Sequence, residues 1–220
     1  MGDGRIIAVS GMSRSGKTSY CVRELRAFDR LALWDADDEL WSRCNAVRVT
    51  SAAEFVQKLR NVGSGALRIS YVPRNLDRKG LGKAFSLWAR AAFAWGVDFG
   101  PCAVLADELA DVSNAGKAPD GWGQLIRRGM KHGLHVYAVS QRWQEADKTT
   151  LGNCAKLIAF RANNALESQY LAQRFRGVTS QELEDLPMLQ YVELDRWTGA
   201  RFDGRVDPKK DEAKRKIGGR

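Results

Sequence analysis

The sequence predicts an α/β fold in which a mostly parallel sheet is flanked by helices. Short runs rich in β-branched residues, bounded by turn residues, alternate with longer segments of helical periodicity, as in consecutive βαβ units. The 220 residues are enough for one sizeable core, and no Pro/Gly/Ser-rich linker divides them. One domain is therefore predicted over residues 1–204, followed by a basic C-terminal tail over residues 205–220.

The predicted strands share short length and apolar composition, and they lie at residues 5–10, 31–34, 66–72, 103–106, 134–139, 156–160 and 191–194, with a shorter one at 47–49. The predicted helices have apolar residues at helical spacing, and they lie at 17–28, 52–59, 81–95, 122–131 and 166–175. The tail has almost no apolar residues and cannot offset the entropy of ordering, so we expect it to be mobile. It is either a solubilising terminus or a contact for nucleic acid or a partner protein.

Bulk composition narrows the class of protein. Hydrophobic content of 44%, charged content of 28% and the absence of a run of about 18 apolar residues indicate a soluble protein without a membrane span. The N-terminus leads directly into a predicted strand without a secretory apolar segment, so a cytoplasmic location is expected. The four cysteines are irregularly spaced with no CxxC pair, which argues against a disulfide framework or a zinc site.

A glycine-rich loop follows the first predicted strand and opens the first predicted helix. Glycines at positions 11 and 16 permit backbone conformations that point N–H groups at a phosphate, and the helix N-terminus adds its positive dipole end. Lys17 is expected to reach the β- and γ-phosphates of ATP, and the Thr18 hydroxyl to ligate Mg²⁺. The predicted nucleotide-binding residues are Gly11, Met12, Ser13, Arg14, Ser15, Gly16, Lys17 and Thr18. The alternative is a tight glycine turn without a ligand.

Two adjacent acids end the predicted strand at 103–106. Ligands bind at the carboxyl ends of parallel strands, where Asp107 is placed to hold Mg²⁺ and Glu108 to orient or deprotonate an attacking water. The alternative is that the pair caps the next segment, and the phosphate loop favours the catalytic interpretation. Gln141 ends the next predicted strand and is predicted to contact both the γ-phosphate and the water. A polar residue is common at the end of a strand, so Gln141 alone is weak evidence. It becomes informative because it is the third such feature, after the phosphate loop and the acidic pair.

The residues around Gln141 resemble a segment of a known protein family. The run 125–142, in which a basic helix leads through Gly133 into a strand ending in Ser140-Gln141-Arg142, resembles a segment of HerA/FtsK-type translocases. The continuation over 145–161 is also similar, and with the phosphate loop and the acidic pair the likeness covers most of residues 5–175. It implies a RecA-like P-loop core that assembles as a ring, usually a hexamer, and hydrolyses ATP to move DNA through its centre.

Within this superfamily, the size of the core is most similar to the minimal genome-packaging ATPases of membrane-containing phages and viruses. The likeness implies double-stranded DNA, bound without sequence preference, as a partner and a capsid or vertex protein as another, in the host cytoplasm or the virion. The alternatives are a phage morphogenesis ATPase that exports DNA, a HerA-like helicase, a non-enzymatic DNA-binding protein and, more remotely, a small-molecule P-loop kinase. The acidic pair followed by Gln141 speaks against a kinase, which should exclude an activated water.

The resemblance also implies an arginine supplied in trans. Family members use an arginine of the neighbouring subunit to stabilise charge on the γ-phosphoryl group. In the commonest spacing it lies three residues before the glycine, where this sequence has Met130. Arg128 and Arg127 are the nearest substitutes. Arg142 or Arg161 would serve if the ring geometry differs, and the alternative for all of them is a solvated surface.

Candidate DNA contacts follow from charge. The net charge of +9 favours a polyanionic partner, because neutralising phosphates releases counterions. Residues 113–119, with Lys117, and residues 74–80 have the composition of loops that line a ring and contact phosphates, although each has the alternative of a solvated loop. Trp88 and Trp95 share one face of a predicted helix and are expected in the core rather than stacked on bases.

Overall fold

The computed structural model describes residues 4–213, whose strands form one nine-stranded sheet. In chain order the strands are β1 (Ile6–Ser10), β2 (Arg30–Trp34), β3 (Val47–Val49), β4 (Leu67–Tyr71), β5 (Ala103–Ala106), β6 (His135–Ser140), β7 (Lys156–Phe160), β8 (Gln190–Asp195) and β9 (Arg201–Arg205). Across the sheet their order is β3-β4-β2-β5-β6-β1-β7-β8-β9. The strands from β3 to β7 in this order are parallel, and β8 pairs antiparallel with both β7 and β9. The predicted mostly parallel α/β sheet is confirmed.

Helices cover both faces of this sheet. They are α1 (Lys17–Leu25), α2 (Leu40–Arg43), α3 (Ala52–Val62), α4 (Arg78–Phe99), α5 (Leu109–Val112), α6 (Asp120–Arg128), α7 (Lys148–Asn153), α8 (Ala165–Ala172), α9 (Ser180–Asp185) and α10 (Pro208–Ala213). Successive side chains of β1 point to opposite faces: Ile6 and Ala8 belong to the core that includes residues of α3, α4 and α6, whereas Ile7 and Val9 belong to the core that includes residues of α1 and α2. Both faces of the central strand are therefore buried, as in other parallel sheets.

Aromatic side chains fill the larger of the two cores. Trp34 of β2, Phe85 and Trp88 of α4, and Trp122 of α6 are all fully buried, with neighbouring ring centroids 5.0–6.4 Å apart. Trp95 is also buried, and its indole Nε1 donates to the carbonyl of Gly63 at 2.8 Å. The core positions predicted for Trp88 and Trp95 are confirmed.

The observed elements differ from the predicted ones mainly at their ends. Helix α4 begins earlier than predicted because the Asp77 side chain accepts the N–H of Gly80 at 2.7 Å and caps the helix. The helix predicted over 122–131 ends as α6 at Arg128 and continues as a 3-10 turn over Gly129–His132, which closes at Gly133 with φ +76°. Strand β9 and the helices α2, α5, α7, α9 and α10 were not predicted. Each has at most six residues, too few for a periodic pattern.

The beginning of the predicted tail belongs to the folded domain. Arg205 is the last residue of β9, so the predicted boundary at residue 204 falls inside a strand. Val206 is 1% exposed, and its N–H donates to the carbonyl of Leu189 at 2.9 Å. Helix α10 follows, and residues 214–220 lie outside the described residues.

The sheet order places the sequence motifs at one edge. Strand β6 lies between β1 and β5, with Ser10 opposite Ser140 and Ala106 opposite Ala138. The phosphate loop, the acidic pair and Gln141 therefore all leave the sheet at the carboxyl edge of three adjacent strands. Within residues 4–213, no helix combines the length and the apolar character that crossing a bilayer needs.

Candidate nucleotide and catalytic site

The phosphate loop lies between β1 and α1 and requires glycine at two positions. Gly11 has φ +147° and Gly16 has φ +116°, values that L side chains rarely adopt. A Cβ on Gly11 would lie 2.6 Å from Cβ of Phe160, so the loop packs directly against β7. The N–H of Met12 donates to the carbonyl of Arg161 at 2.8 Å and ties the loop to the segment after β7.

The start of helix α1 offers unpaired donors that fit a phosphate chain. Gly16 is the N-cap and has no side chain to accept the first N–H groups of the helix, which also have no preceding helical carbonyl. Ser15 is 1% exposed, and its Oγ has no hydrogen-bond partner among the described residues. A buried hydroxyl without a partner is unfavourable unless a ligand supplies one. The loop therefore fits the triphosphate of a nucleotide, as the sequence predicts.

Lys17 lies buried along this loop, within electrostatic reach of the acidic pair. Its Nζ donates to the carbonyls of Gly11 and Met12, both at 2.8 Å. Burial lowers the pKa of Lys17, while the carboxylates of Glu108 and Asp107 raise it and so oppose this shift. The side chain thus adds positive charge beside the N–H groups of the loop and links them electrostatically to the acidic pair after β5.

Asp107 follows β5 in an environment that disfavours its own charge. Burial raises the pKa of Asp107 to about 7, with the carboxylates of Glu108 and Asp37 adding to the shift and Lys17 opposing it. A divalent cation beside this carboxylate would relieve that penalty. Asp107 and the Thr18 hydroxyl supply hard oxygen ligands, which suit Mg²⁺ when water and phosphate oxygens complete the shell. The donor chemistry of the two predicted metal ligands therefore fits Mg²⁺.

Glu108 and Gln141 form the most specific contact of the site. Nε2 of Gln141 donates to Oε2 of Glu108 at 3.2 Å, and the backbone N–H of Gln141 donates to Oε1 at 3.3 Å. The Ser140 hydroxyl donates to the same Oε1 at 3.4 Å. Glu108 has φ +46°, a left-handed conformation that is costly for a residue with a side chain and that occurs preferentially at functional sites. The carboxylate is thus held in one orientation by groups at the end of β6.

Sequence reasoning missed an acid that shapes the neighbouring loop. Asp35 follows β2, is 1% exposed and accepts the N–H groups of residues 39–41 at 2.9–3.1 Å and the Ser70 hydroxyl at 2.9 Å. This network orders the acidic loop that carries Asp37, whose charge acts on Asp107. The available signal was an acid directly after a parallel strand, which is the same signal that identified Asp107.

A second missed acid, Glu167, lies beneath the segment that follows Gln141. It is 1% exposed and accepts the N–H of Trp143 at 2.9 Å and that of Gln144 at 3.4 Å. Its only sequence signal was an acid in the first turn of a helix, which usually reflects helix capping alone. Its hydrogen bonds to the segment after β6 are tertiary contacts that the sequence does not show.

The four candidate arginines are either exposed or paired with other acidic residues of their own chain. Arg127 and Arg128 are exposed at the end of α6, and the Arg128 guanidinium lies 5.9 Å from the centroid of the Phe93 ring. Arg142 is paired with Asp111 at 2.6 Å and Glu145 at 2.9 Å. Arg161 is exposed beside Met12. Among the described residues, no ion pair joins any of these arginines to Asp107 or Glu108. Met130, at the commonest family position, packs partly against the core.

The two candidate DNA loops have different structures. In the segment 113–119, Lys117 has a side chain 83% exposed and forms an ion pair with Asp120 at 3.5 Å. Ser113 is buried and accepts the N–H of Asp147 at 3.2 Å, which anchors the start of the segment. In the segment 74–80, Arg74 pairs with Asp38, and residues 78–80 form the start of α4 instead of a loop.

Comparisons with known proteins found relatives in sequence and in structure. No protein-family model matches the chain. Protein P9 of Pseudoalteromonas phage PM2 is 28% identical over 191 residues, which cover 86% of this chain and 83% of P9. The sequence similarity to the phage protein therefore extends over most of both chains.

The structural neighbours share the whole fold at low sequence identity. The genome packaging NTPase B204 of Sulfolobus turreted icosahedral virus 2 superposes with a TM-score of 0.73 in complex with AMPPCP and 0.74 with ATP-gammaS, at 14% and 15% identity. In both cases the match covers 94% of this chain and 100% of B204. The bacterial conjugative coupling protein TrwBdeltaN70 superposes with a TM-score of 0.63 at 10% identity, over 94% of this chain and 85% of the TrwBdeltaN70 chain. The chain therefore has the RecA-like P-loop NTPase fold that the sequence predicts, and it shares this fold over most of its length with B204 and TrwBdeltaN70.

Proposed function

We propose that this chain is a viral or phage genome-packaging ATPase that hydrolyses ATP to move DNA through a ring of its own copies. The observation that carries the proposal is the Glu108 carboxylate, held by the N–H and the amide of Gln141 beside the phosphate loop. A carboxylate fixed in this way is suited to activate water, which a kinase must keep out of its site. Supporting observations are the fold shared with B204 and the similarity to Protein P9.

The residues have distinct roles in the proposed hydrolysis. Loop N–H groups and Lys17 bind the β- and γ-phosphates, and Thr18 and Asp107 would hold Mg²⁺, which supplies charge neutralisation when bound. Glu108 accepts a proton from the attacking water as its oxygen bonds to the γ-phosphorus. The bond from that phosphorus to the β–γ bridging oxygen breaks, and ADP leaves with the electron pair. Gln141 keeps the Glu108 carboxylate aimed at the water.

Substitution of the loop lysine and the base tests the catalytic part. We expect Glu108→Gln to lower ATP turnover by at least about 100-fold, because the neutral amide cannot accept the proton. Lys17→Ala should abolish nucleotide binding as well as turnover. Matched controls are Glu54→Gln and Lys58→Ala, which remove an exposed ion pair on α3 and should leave turnover unchanged.

Following labelled γ-phosphate separates hydrolysis from phosphoryl transfer. We expect all of the label to appear as free phosphate. Transfer of the label to an acceptor molecule, or wild-type turnover in Glu108→Gln, would overturn the proposed reaction.

The ring and the DNA partner are tested separately from the chemistry. The net charge of +9 favours DNA, so hydrolysis should be stimulated by duplex DNA of any sequence, and the stimulation should fall as salt rises. Counting subunits on DNA by mass, with an ATP analogue, measures the assembly, for which a hexamer is expected. If the protein stays monomeric and its ATPase activity does not change when DNA is added, the proposed ring and the proposed DNA partner are refuted.

An arginine acting in trans gives a complementation test. Lys17→Ala subunits keep their arginines, and Arg128→Ala subunits keep their phosphate loops, so mixed rings should recover activity that each variant lacks alone. Arg127→Ala, Arg142→Ala and Arg161→Ala in the same mixing experiment identify which arginine is used. Failure of every mixture to recover activity would exclude a shared site.

A further inference from the structure

The backbone after β6 makes a single tight turn that leaves two N–H groups without carbonyl partners. The carbonyl of Arg142 accepts the N–H groups of Glu145 at 3.0 Å and Ala146 at 3.2 Å, which is the hydrogen-bond pattern of one helical turn. As at any helix start, the N–H groups of the preceding residues, Trp143 and Gln144, have no acceptor within the turn. Trp143 is fully buried, so bulk water does not reach its backbone.

Glu167 satisfies both donors from a different part of the chain. Its Oε1 accepts the N–H of Trp143 at 2.9 Å, and its Oε2 accepts that of Gln144 at 3.4 Å. Among the described residues no ion pair involves this carboxylate. Its charge is stabilised instead by the two N–H groups and by its place in the first turn of α8, where Asn164 is the N-cap. Glu167 thus caps the turn as an N-cap residue caps a helix.

We propose that Glu167 is a positioning residue for hydrolysis, which holds the turn over 142–146 so that Gln141 keeps the Glu108 carboxylate aimed. Gln141 immediately precedes this turn, and its N–H and amide both bond to Glu108. Glu167 acts through the backbone and not on the reacting atoms. The inference rests on the proposed function, since it assigns a role within that ATPase site.

The segment between β7 and Glu167 also contacts the phosphate loop. Glu167 follows β7 by seven residues, and the carbonyl of Arg161 in this connection accepts the N–H of Met12. The segment 161–167 therefore touches the phosphate loop at one end and the turn behind Gln141 at the other. A displacement of about 1 Å at a positioned catalytic group can cost about 100-fold in rate.

The test is a double-mutant cycle in the full chain, measured as steady-state ATP hydrolysis. Glu167→Gln keeps the shape but turns an amide NH₂ toward one of the two N–H groups, so we expect kcat to fall about tenfold or more while KM for ATP stays within about threefold. Gln141→Ala should lower kcat by a similar factor. Because both act on the orientation of Glu108, the double variant should be no slower than the slower single variant.

A matched control is Asp147→Asn. Asp147 is another buried carboxylate cap, at the start of α7 between β6 and β7, and the substitution weakens it. Asp147 is fully buried and accepts the N–H and hydroxyl of Thr150 at 3.0 and 2.9 Å, without contacting the turn's donors. It should lower the melting temperature while leaving kcat unchanged. If Glu167→Gln does not fold, Glu167→Asp carries the test, because it keeps the charge but withdraws the carboxylate by one methylene and should still lower kcat.

Two outcomes separate this inference from the proposed function. Unchanged kcat in the folded Glu167 variants, or effects of Glu167→Gln and Gln141→Ala that multiply, would overturn the positioning role while leaving the ATPase intact. Unchanged hydrolysis in Glu108→Gln would instead overturn the proposed function itself, and the positioning role with it.

Discussion

Val206, just after β9, packs on the phosphate loop at Gly16, and substitution of both residues measures that contact. A Cβ on Gly16 would lie 2.6 Å from Cγ2 of Val206 and 3.0 Å from the Phe160 ring. Gly16 also has φ +116°, where an alanine is strained by about 1–3 kcal/mol. Overpacking adds about 1–3 kcal/mol, so Gly16→Ala should destabilise the fold by roughly 2–6 kcal/mol. That is a large part of the roughly 5–15 kcal/mol that stabilises a typical domain.

Val206→Ala separates the steric part of this cost from the backbone part. In the wild-type chain it removes two buried methyl groups and should cost about 2 kcal/mol, because each contributes roughly 0.8 kcal/mol and a small cavity remains. In the Gly16→Ala chain the same change also removes Cγ2, the atom that the new methyl group meets. Its cost should therefore be smaller there by at least about 1 kcal/mol.

Urea unfolding of the four chains, followed by tryptophan fluorescence, gives this coupling free energy. Leu166→Ala is the control, since that side chain is 65% exposed and its truncation should change stability by less than about 0.5 kcal/mol. If Val206→Ala costs the same in both backgrounds, within about 0.5 kcal/mol, then Val206 does not pack on the phosphate loop.

Two further predictions concern stability. Gly96→Ala places a Cβ 2.5 Å from the Leu134 side chain and should lower the free energy of unfolding by about 1–3 kcal/mol. Gly82→Ala in the same helix meets no atom within 4 Å and should raise the free energy of unfolding by about 0.5–1 kcal/mol. Melting temperatures of the two variants that shift in the same direction would contradict this. Burial raises the pKa of Glu167 from its ordinary 4.5 to about 6, with the backbone N–H groups that it accepts opposing the shift and the carboxylates of Glu108 and Glu145 adding to it. The folded chain thus binds the proton of the Glu167 carboxyl group more tightly than the unfolded chain does. Protonation of Glu167 therefore stabilises the folded state, and this stabilisation is complete below about pH 4.5 and is lost as the pH rises through 6. Urea unfolding at pH 4.5 and pH 7 should show wild type losing about 2 kcal/mol relative to Glu167→Gln, and a constant difference would refute the shift.

Much of the site could be predicted because its members are local in sequence or end parallel strands. The phosphate loop is one contiguous segment between a strand and a helix, so its geometry follows from local backbone rules. Asp107 and Gln141 each follow a strand, and parallel strands bring their carboxyl ends to one edge. The hydrogen bonds between Gln141 and Glu108 could not be predicted without the strand order, because only the adjacency of β5 and β6 brings the two residues together.

The sequence by itself determined the α/β class, the glycine-rich loop between a strand and a helix, the acidic pair at a strand end and the burial of Trp88 and Trp95. Each depends on periodicity or on residues within one strand–loop–helix unit. Only the tertiary structure decided that Val206 packs on Gly16 and that Glu167 caps a turn 23 to 24 residues earlier in the chain. Such contacts leave no periodic signal, because they depend on where separate elements meet in space. Short elements such as β9 escaped prediction for the same reason, since tertiary packing rather than local propensity stabilises them.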